Sequence, residues 1–207
     1  MKNLIIIGAS ALGREVASWA ENACSYVKVK GFLDSRTDIL NTYKNYPPIL
    51  DSVENYQPKK NDVFICALGE PEMRQKYVTL IENKDGIFIS LIHPKAYIGK
   101  NVTIGSGTII RPNVILTTDI IIGNHCVIGV NSSIGHDCIL DDFVTISPGC
   151  DIAGWCHIHS NAFLGVHSAV IPHVELGGGG GTYVAAGAIV TRSYALGRLM
   201  GIPAKIK

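Results

Sequence analysis

From Ile92 onward the large aliphatic residues of the chain recur at every sixth position: Ile92, Ile98, Ile104, Ile110, Leu116, Ile122, Ile128, Ile134, Leu140, Ile146, Ile152, Ile158, Leu164, Val170 and Leu176. Only 58 of the 207 residues are Ile, Leu or Val, so an unbroken run in one phase marks a structural repeat. Four residues after each aliphatic stands a small or β-branched residue, among them Ala96, Val102, Thr108, Cys126, Ser132, Cys138, Cys150 and Cys156, with Ile120 the large exception. A large residue paired with a small one suits the interior of a narrow triangular coil, which must be filled without voids. The positions between are crowded with Gly, Asn, Asp and Pro, which supply the tight turns of corners.

Three hexads close one coil of 18 residues, and parallel strands stacked roughly 4.8 Å apart place residues 18 apart above one another. The pattern predicts an all-β left-handed parallel β-helix of hexapeptide repeats over residues 92–207. A glycine run at 177–181 breaks the phase, and Val184 and Val190 resume it two residues late.

Residues 1–91 follow a different rhythm. Apolar runs at 4–7, 27–33, 63–68 and 87–91 read as strands, and the segments from the Gly8 loop to about Asn22 and from Pro71 to Glu82 read as helices, the second opening on its proline. Alternating strands and helices predict a small Rossmann-like α/β domain with a parallel sheet. Its first turn, Gly8-Ala9-Ser10-Ala11-Leu12-Gly13, is a partial dinucleotide fingerprint in which Ser10 replaces the middle glycine. The pattern alone fits a tight strand-to-helix turn equally well. Backbone N–H groups at such a helix start favour an anionic or polar ligand, and Asp34 stands where a carboxylate could accept hydrogen bonds from sugar hydroxyls.

Composition narrows the function. A net charge of +1, with no run of Lys or Arg, argues against nucleic-acid and membrane-surface partners. The N-terminal segment lacks the features of a signal peptide and no apolar stretch reaches membrane-spanning length, so a cytoplasmic location is expected. None of the six cysteines forms a CxxC pair, and four of them fall at small interior positions of the repeat.

A Gly-loop α/β domain joined through Leu91-Ile92-His93-Pro94 to a hexapeptide β-helix resembles the sialic-acid and nucleotide-sugar acetyltransferase family, which includes the bacillosamine-pathway acetyltransferase. The likeness also rests on Gly13-Arg14-Glu15, Phe32-Leu33-Asp34, Ala67-Leu68-Gly69, Ile134-Gly135-His136-Asp137-Cys138 and Gly201-Ile202-Pro203-Ala204-Lys205. It implies a homotrimer that uses acetyl-CoA, with a nucleotide-linked sugar bound through Gly8, Ala9, Ser10, Gly13 and Asp34. It also implies that His136 is the general base, oriented by Asp137, and that the oxyanion donor is the backbone N–H of Gly154. The 18-residue rule independently puts Gly154 one coil from His136 at the same corner. An imidazole titrating near neutrality can take the proton that an amine or hydroxyl must shed on attacking a thioester, and a main-chain donor beside it suits the tetrahedral intermediate.

Two positions depart from the family pattern. Thr145 stands where relatives often carry a histidine that contacts the acyl donor, and its hydroxyl is the expected substitute. Leu12 removes a polar side chain from the Gly8 loop. Lys205 is expected to meet a CoA phosphate, or else to be a solvated tail lysine. His157 and His159 form an HxH without an outward carboxylate or cysteine nearby in the hexad phase, so they read as surface residues and no metal site is expected. His125, His167 and His173 occupy corner positions like His136, and His125 is a rival base. The leading function is N-acetylation of a nucleotide-linked amino sugar; O-acetylation of sialic acid or a related sugar, and a non-catalytic binding module, are the alternatives.

Overall fold

The computed structural model describes residues 1–178 and 180–207, so Gly179, in the middle of the glycine run, lies outside the described residues. The chain opens with β1 (Lys2–Ile7), α1 (Ala11–Ala23), β2 (Val27–Leu33), β3 (Ile49–Asp51), β4 (Asp62–Cys66) and α2 (Pro71–Glu82). The four strands form a parallel sheet in the order β3-β2-β1-β4. Leu4, Ile5, Ile6 and Ile7 are all buried without alternation, as expected of a strand covered on both faces. In α2 the inward residues Arg74, Val78 and Ile81 follow helical spacing.

One expected strand is replaced by another. Residues 87–91 pair with the sheet only through an isolated bridge from Phe88 to Phe64, because Ser90 already turns into the coils and donates its hydroxyl to the Gly105 carbonyl. The fourth strand is Ile49–Asp51, on the opposite edge. Three residues after a double proline carry too little periodicity to announce a strand.

The β-helix follows the hexads. Short strands stack in parallel with partners such as Val127↔Thr145, Ser133↔Asp151 and Ile139↔His157, each 18 residues apart, and they build three faces. The first face runs through Leu91–Ile92, Ile109–Ile110, Val127–Ile128 and Thr145–Ile146; the second through Ile115–Leu116, Ser133–Ile134 and Asp151–Ile152; the third through Ile121–Ile122, Ile139–Leu140 and His157–Ile158. Interior aliphatics from Ile110 to Val190 are at most 3% exposed, and Cys126, Cys138, Cys150 and Cys156 are buried free thiols among them. Each fully buried aliphatic contributes about 1.5–3 kcal/mol. The two-residue slip after the glycine run is seen directly, since Leu164 pairs with Val184 and Val170 with Val190. The open end is closed by Gly197–Met200 and the antiparallel Lys205–Ile206.

Corners repeat one device. From Ile98 to Val170 the third residue after each interior aliphatic takes a left-handed conformation, as at Asn101, Asn113, Asp119, Asn131, Asp137, Trp155 and His173. Asn and Asp tolerate it through local polar contacts.

The α/β unit sits on the first face, where Leu91, Ile109 and Val127 join the core that includes Val16, Trp19 and Phe32. Arg111 on the coils pairs with Glu15 of α1, its Nε 2.9 Å from Oε1. Arg74 is the second tie. Fully buried on α2, it donates to the carbonyls of Leu68, Gly69, His125 and Phe143 and to the Thr145 hydroxyl. Burial lowers its pKa from the usual guanidinium value. Among the described residues no helix is long and apolar enough to cross a membrane.

Candidate active site

His136 stands at the corner between the second and third faces, opposite the face that the α/β unit covers. Its Nδ1 lies 2.8 Å from Asp137 Oδ2. With Nδ1–H donating to that carboxylate, Nε2 is left with a free lone pair. The imidazole is about 44% exposed, so it reaches solvent and any ligand at this corner. Trp155 packs edge-on against it, with centroids 4.3 Å apart, and stacks in turn on His173 at 4.9 Å.

The ring lies directly over Gly154. A Cβ at that position would be 2.7 Å from His136 Cε1 and 2.8 Å from Nε2, so only glycine leaves the imidazole where it is. Among the described residues the Gly154 N–H has no backbone acceptor, while the neighbouring Trp155 N–H donates to the His136 carbonyl at 2.9 Å. An imidazole, the carboxylate hydrogen-bonded to it and a main-chain N–H therefore share one corner.

The other corner histidines are placed differently. His125, His167 and His173 fall one position later in the hexad than His136, on the left-handed residue that Asp137 occupies in its own hexad. His125 is buried between Phe88 and Phe143, its Nδ1 has no hydrogen-bond partner, and burial lowers its pKa. It has no access to a ligand at the His136 corner.

A cavity of about 330 Å³ opens in the α/β unit, lined by Gly8, Asp34, Arg36, Leu68, Met73 and Tyr77 among others. Asp34 is nearly buried beside it and its oxygens are already engaged: Oδ2 accepts from the Ala9 N–H at 3.0 Å, and both oxygens accept from the Arg36 side chain. Burial pushes this carboxyl up, but the bonds from Arg36 and Ala9 prevail and hold it below the ordinary value. Asp34 thus pins the Gly8 loop and presents Arg36, a residue the sequence did not single out. Gly13 does not face the cavity; a Cβ there would be 1.9 Å from the Gly8 carbonyl oxygen, so its smallness lets α1 approach β1. Ser10 begins α1 and its hydroxyl makes no capping bond.

Comparison with known proteins shows what the first unit is similar to. Residues 3–81 match the family described as the PglD N-terminal domain. Over 108 residues, 52% of this chain, it is 31% identical to the GDP-perosamine N-acetyltransferase of Escherichia coli O157:H7. Over 114 residues it is 29% identical to the UDP-N-acetylbacillosamine N-acetyltransferase of Bacillus subtilis strain 168. The chain spans about half the length of these curated relatives, 49% and 51% respectively. The structure of PerB from Caulobacter crescentus, in complex with CoA and GDP-perosamine, is similar over all of this chain and 98% of that one, with a TM-score of 0.86 at 26% identity. These findings agree on the family that the sequence resembles, nucleotide-sugar acetyltransferases with a hexapeptide β-helix.

The docking of the α/β unit on the coils accounts for two departures from expectation. Thr145 does not face an acyl-donor groove within its own chain: it is 4% exposed, and its hydroxyl accepts from Arg74 at 2.9 Å and donates to the Gly69 carbonyl at 2.7 Å. It belongs to the join between the coils and the α/β unit. Leu12 packs against the core beneath that domain. Lys205 is exposed on the final strand. The HxH reading also fails in one respect, because an outward carboxylate is present. Asp141 lies 2.9 Å from His157 Nε2 and 3.0 Å from His159 Nδ1.

Proposed function

We propose that the chain is a cytoplasmic, homotrimeric, acetyl-CoA-dependent N-acetyltransferase acting on an amino sugar carried by a nucleotide. The observation that carries the chemistry is the His136 imidazole held by Asp137 directly over the Gly154 N–H. In this reading the sugar amine attacks the thioester carbonyl carbon and gives its proton to His136 Nε2. The Gly154 N–H donates to the oxyanion of the tetrahedral intermediate. When the intermediate collapses, the C–S bond breaks and the imidazolium returns the proton to the departing CoA thiolate. Asp137 stabilises the imidazolium in between.

The sugar nucleotide is assigned to the cavity beside the Gly8 loop, which Gly8, Asp34 and Arg36 line, with the bond from the Ala9 N–H to Asp34 holding the loop in shape. The curated relatives are named for a GDP-linked sugar in one case and a UDP-linked sugar in the other, which supports this assignment. Lys205 is assigned to a CoA phosphate, and the bound CoA of the PerB complex supports acetyl-CoA as donor.

Geometry supports the trimer. The cavity belongs to the unit on the first face, whereas His136 stands at the opposite corner of the same prism. A sugar bound in one subunit therefore reaches a base only on a neighbouring subunit. The test is acetyl transfer: CoA release is followed with acetyl-CoA and UDP-, dTDP- or GDP-linked 4-amino sugars, beside CMP-sialic acid and free sialic acid. Turnover of an amino sugar is expected. Preferred acetylation of the sialic-acid compounds would replace N- by O-acetylation, and no CoA release with any acceptor would leave a binding module.

A further inference from the structure

We propose that Asp141, His157 and His159 form a binding site for a divalent transition metal, of which Zn²⁺ is the type, on the third face of the β-helix. The site is separate from the proposed active site. One ligand atom from each residue lies within 4.8 Å of the other two, and all three side chains are partly exposed. The 18-residue stacking brings them together: Asp141 lies in one coil, and His157 and His159 lie beside it in the next. Both imidazoles aim a ring nitrogen at the same carboxylate, Nε2 of His157 at 2.9 Å and Nδ1 of His159 at 3.0 Å.

Two imidazoles and one carboxylate are a donor set for a borderline ion and not for Mg²⁺ or Ca²⁺, which take oxygen ligands. Ligand bonds of about 2.0–2.2 Å require only a slight spreading of the three side chains. The fourth position of a tetrahedral ion would be open to water.

A second observation points the same way. His159 Nε2 lies 2.7 Å from Glu175 Oε1, one coil further on. A histidine that binds through one nitrogen while its other N–H is held by a carboxylate is the usual arrangement at a metal, where that partner fixes the tautomer and raises ligand basicity. The two rings are also only 3.9 Å apart between centroids. A bound ion would staple two coils directly and a third through Glu175.

The test is equilibrium dialysis of the full chain against Zn²⁺, with Co²⁺ as a spectroscopic probe. One equivalent of Zn²⁺ per chain is expected, with a visible Co²⁺ absorption band and a raised melting temperature in Zn²⁺. His157→Ala and Asp141→Asn should abolish stoichiometric uptake. Glu175→Gln, a milder change that keeps the three ligands, should weaken Zn²⁺ about 10–100-fold. His167→Ala, at a corner away from the cluster, should bind as the unaltered protein does. Absence of uptake by the unaltered protein, or equal uptake by a folded His157→Ala/His159→Ala variant, overturns the site.

Discussion

Arg74 Nη2 donates to Thr145 Oγ1 at 2.9 Å, and the same hydroxyl donates onward to the Gly69 carbonyl at 2.7 Å. The guanidinium has no carboxylate partner among its hydrogen bonds; its remaining acceptors are main-chain carbonyls of the loop before α2 and of two successive coil corners. A planar cation with five donors can satisfy so many carbonyls at once, and a lysine cannot. The pair thereby fixes how the cavity unit sits on the β-helix.

Removal of this clamp should be costly. Arg74→Leu leaves several buried carbonyls without donors, each worth about 1–3 kcal/mol, so a loss of roughly 3 kcal/mol or more is expected. Thr145→Val removes a single bridging hydroxyl and should cost about 1–2 kcal/mol. Urea unfolding measures both. A Thr145→Val variant as damaged as Arg74→Leu would show that the hydroxyl, and not the guanidinium, organises the join.

The hexad phase made the coils, their interior cysteines and the His136 corner readable, because stacking at a fixed spacing turns sequence distance into spatial distance. It also contained the Asp141–His159 pair, which are 18 residues apart; scanning only neighbouring positions hid it. No such rule connects Arg74 to Thr145, or Asp34 to the Ala9 N–H, because those contacts depend on how the α/β unit closes on itself and docks. Ile49–Asp51 was silent for another reason. An edge strand of three residues is specified by its neighbour's register and not by its own pattern.

At the proposed active site, His136→Ala should lower turnover about 10²–10⁴-fold, the range of a general base, and leave the melting temperature nearly unchanged, since the ring is largely solvated. Asp137→Asn should cost less. Gly154→Ala discriminates more finely: its methyl would meet the imidazole at 2.7 Å and displace the base. A shift of about 1 Å can cost about 10²-fold in rate. Steady-state kinetics with acetyl-CoA should show the loss in kcat. Full activity in Gly154→Ala would remove this corner from the mechanism.

Asp34 makes stability depend on pH in a defined direction. Its folded-state pKa lies below the ordinary carboxylate value of 3.8, so its contribution is complete above 3.8 and is lost as pH falls through the lower folded-state value. Asp34→Asn keeps an acceptor for the Ala9 N–H but loses the charge that holds Arg36. The variant should melt lower at neutral pH, and the two melting curves should converge only in acid below 3.8. A gap between them that is independent of pH would mean that packing, and not charge, pins the Gly8 loop.

The last prediction concerns assembly. Outward positions of one hexad phase have two fates: Leu91, Ile109 and Val127 on the first face are buried under the α/β unit, whereas Ile115 on the second face and Ile121 and Ile139 on the third are 46%, 53% and 38% exposed. Trp155, at the corner these two faces share, is 53% exposed. Adjacent bare apolar residues flanking His136 form the kind of patch that another protein surface covers. Because the patch surrounds the base while the cavity lies on the far side of the prism, closed three-fold packing covers the patch and brings a neighbour's cavity to the base. Sedimentation should give close to three times the 22.2 kDa chain mass. Ile121→Asp combined with Ile139→Asp places charge in that interface without touching the interior, and should yield folded monomers with little acetyl transfer. Mixing Asp34→Arg subunits, defective in the cavity, with His136→Ala subunits, defective in the base, should restore part of the activity, because some cavities would then meet an intact neighbouring base. A fully active monomer, or mixtures with no recovery despite subunit exchange, would place cavity and base in the same chain and overturn the shared site.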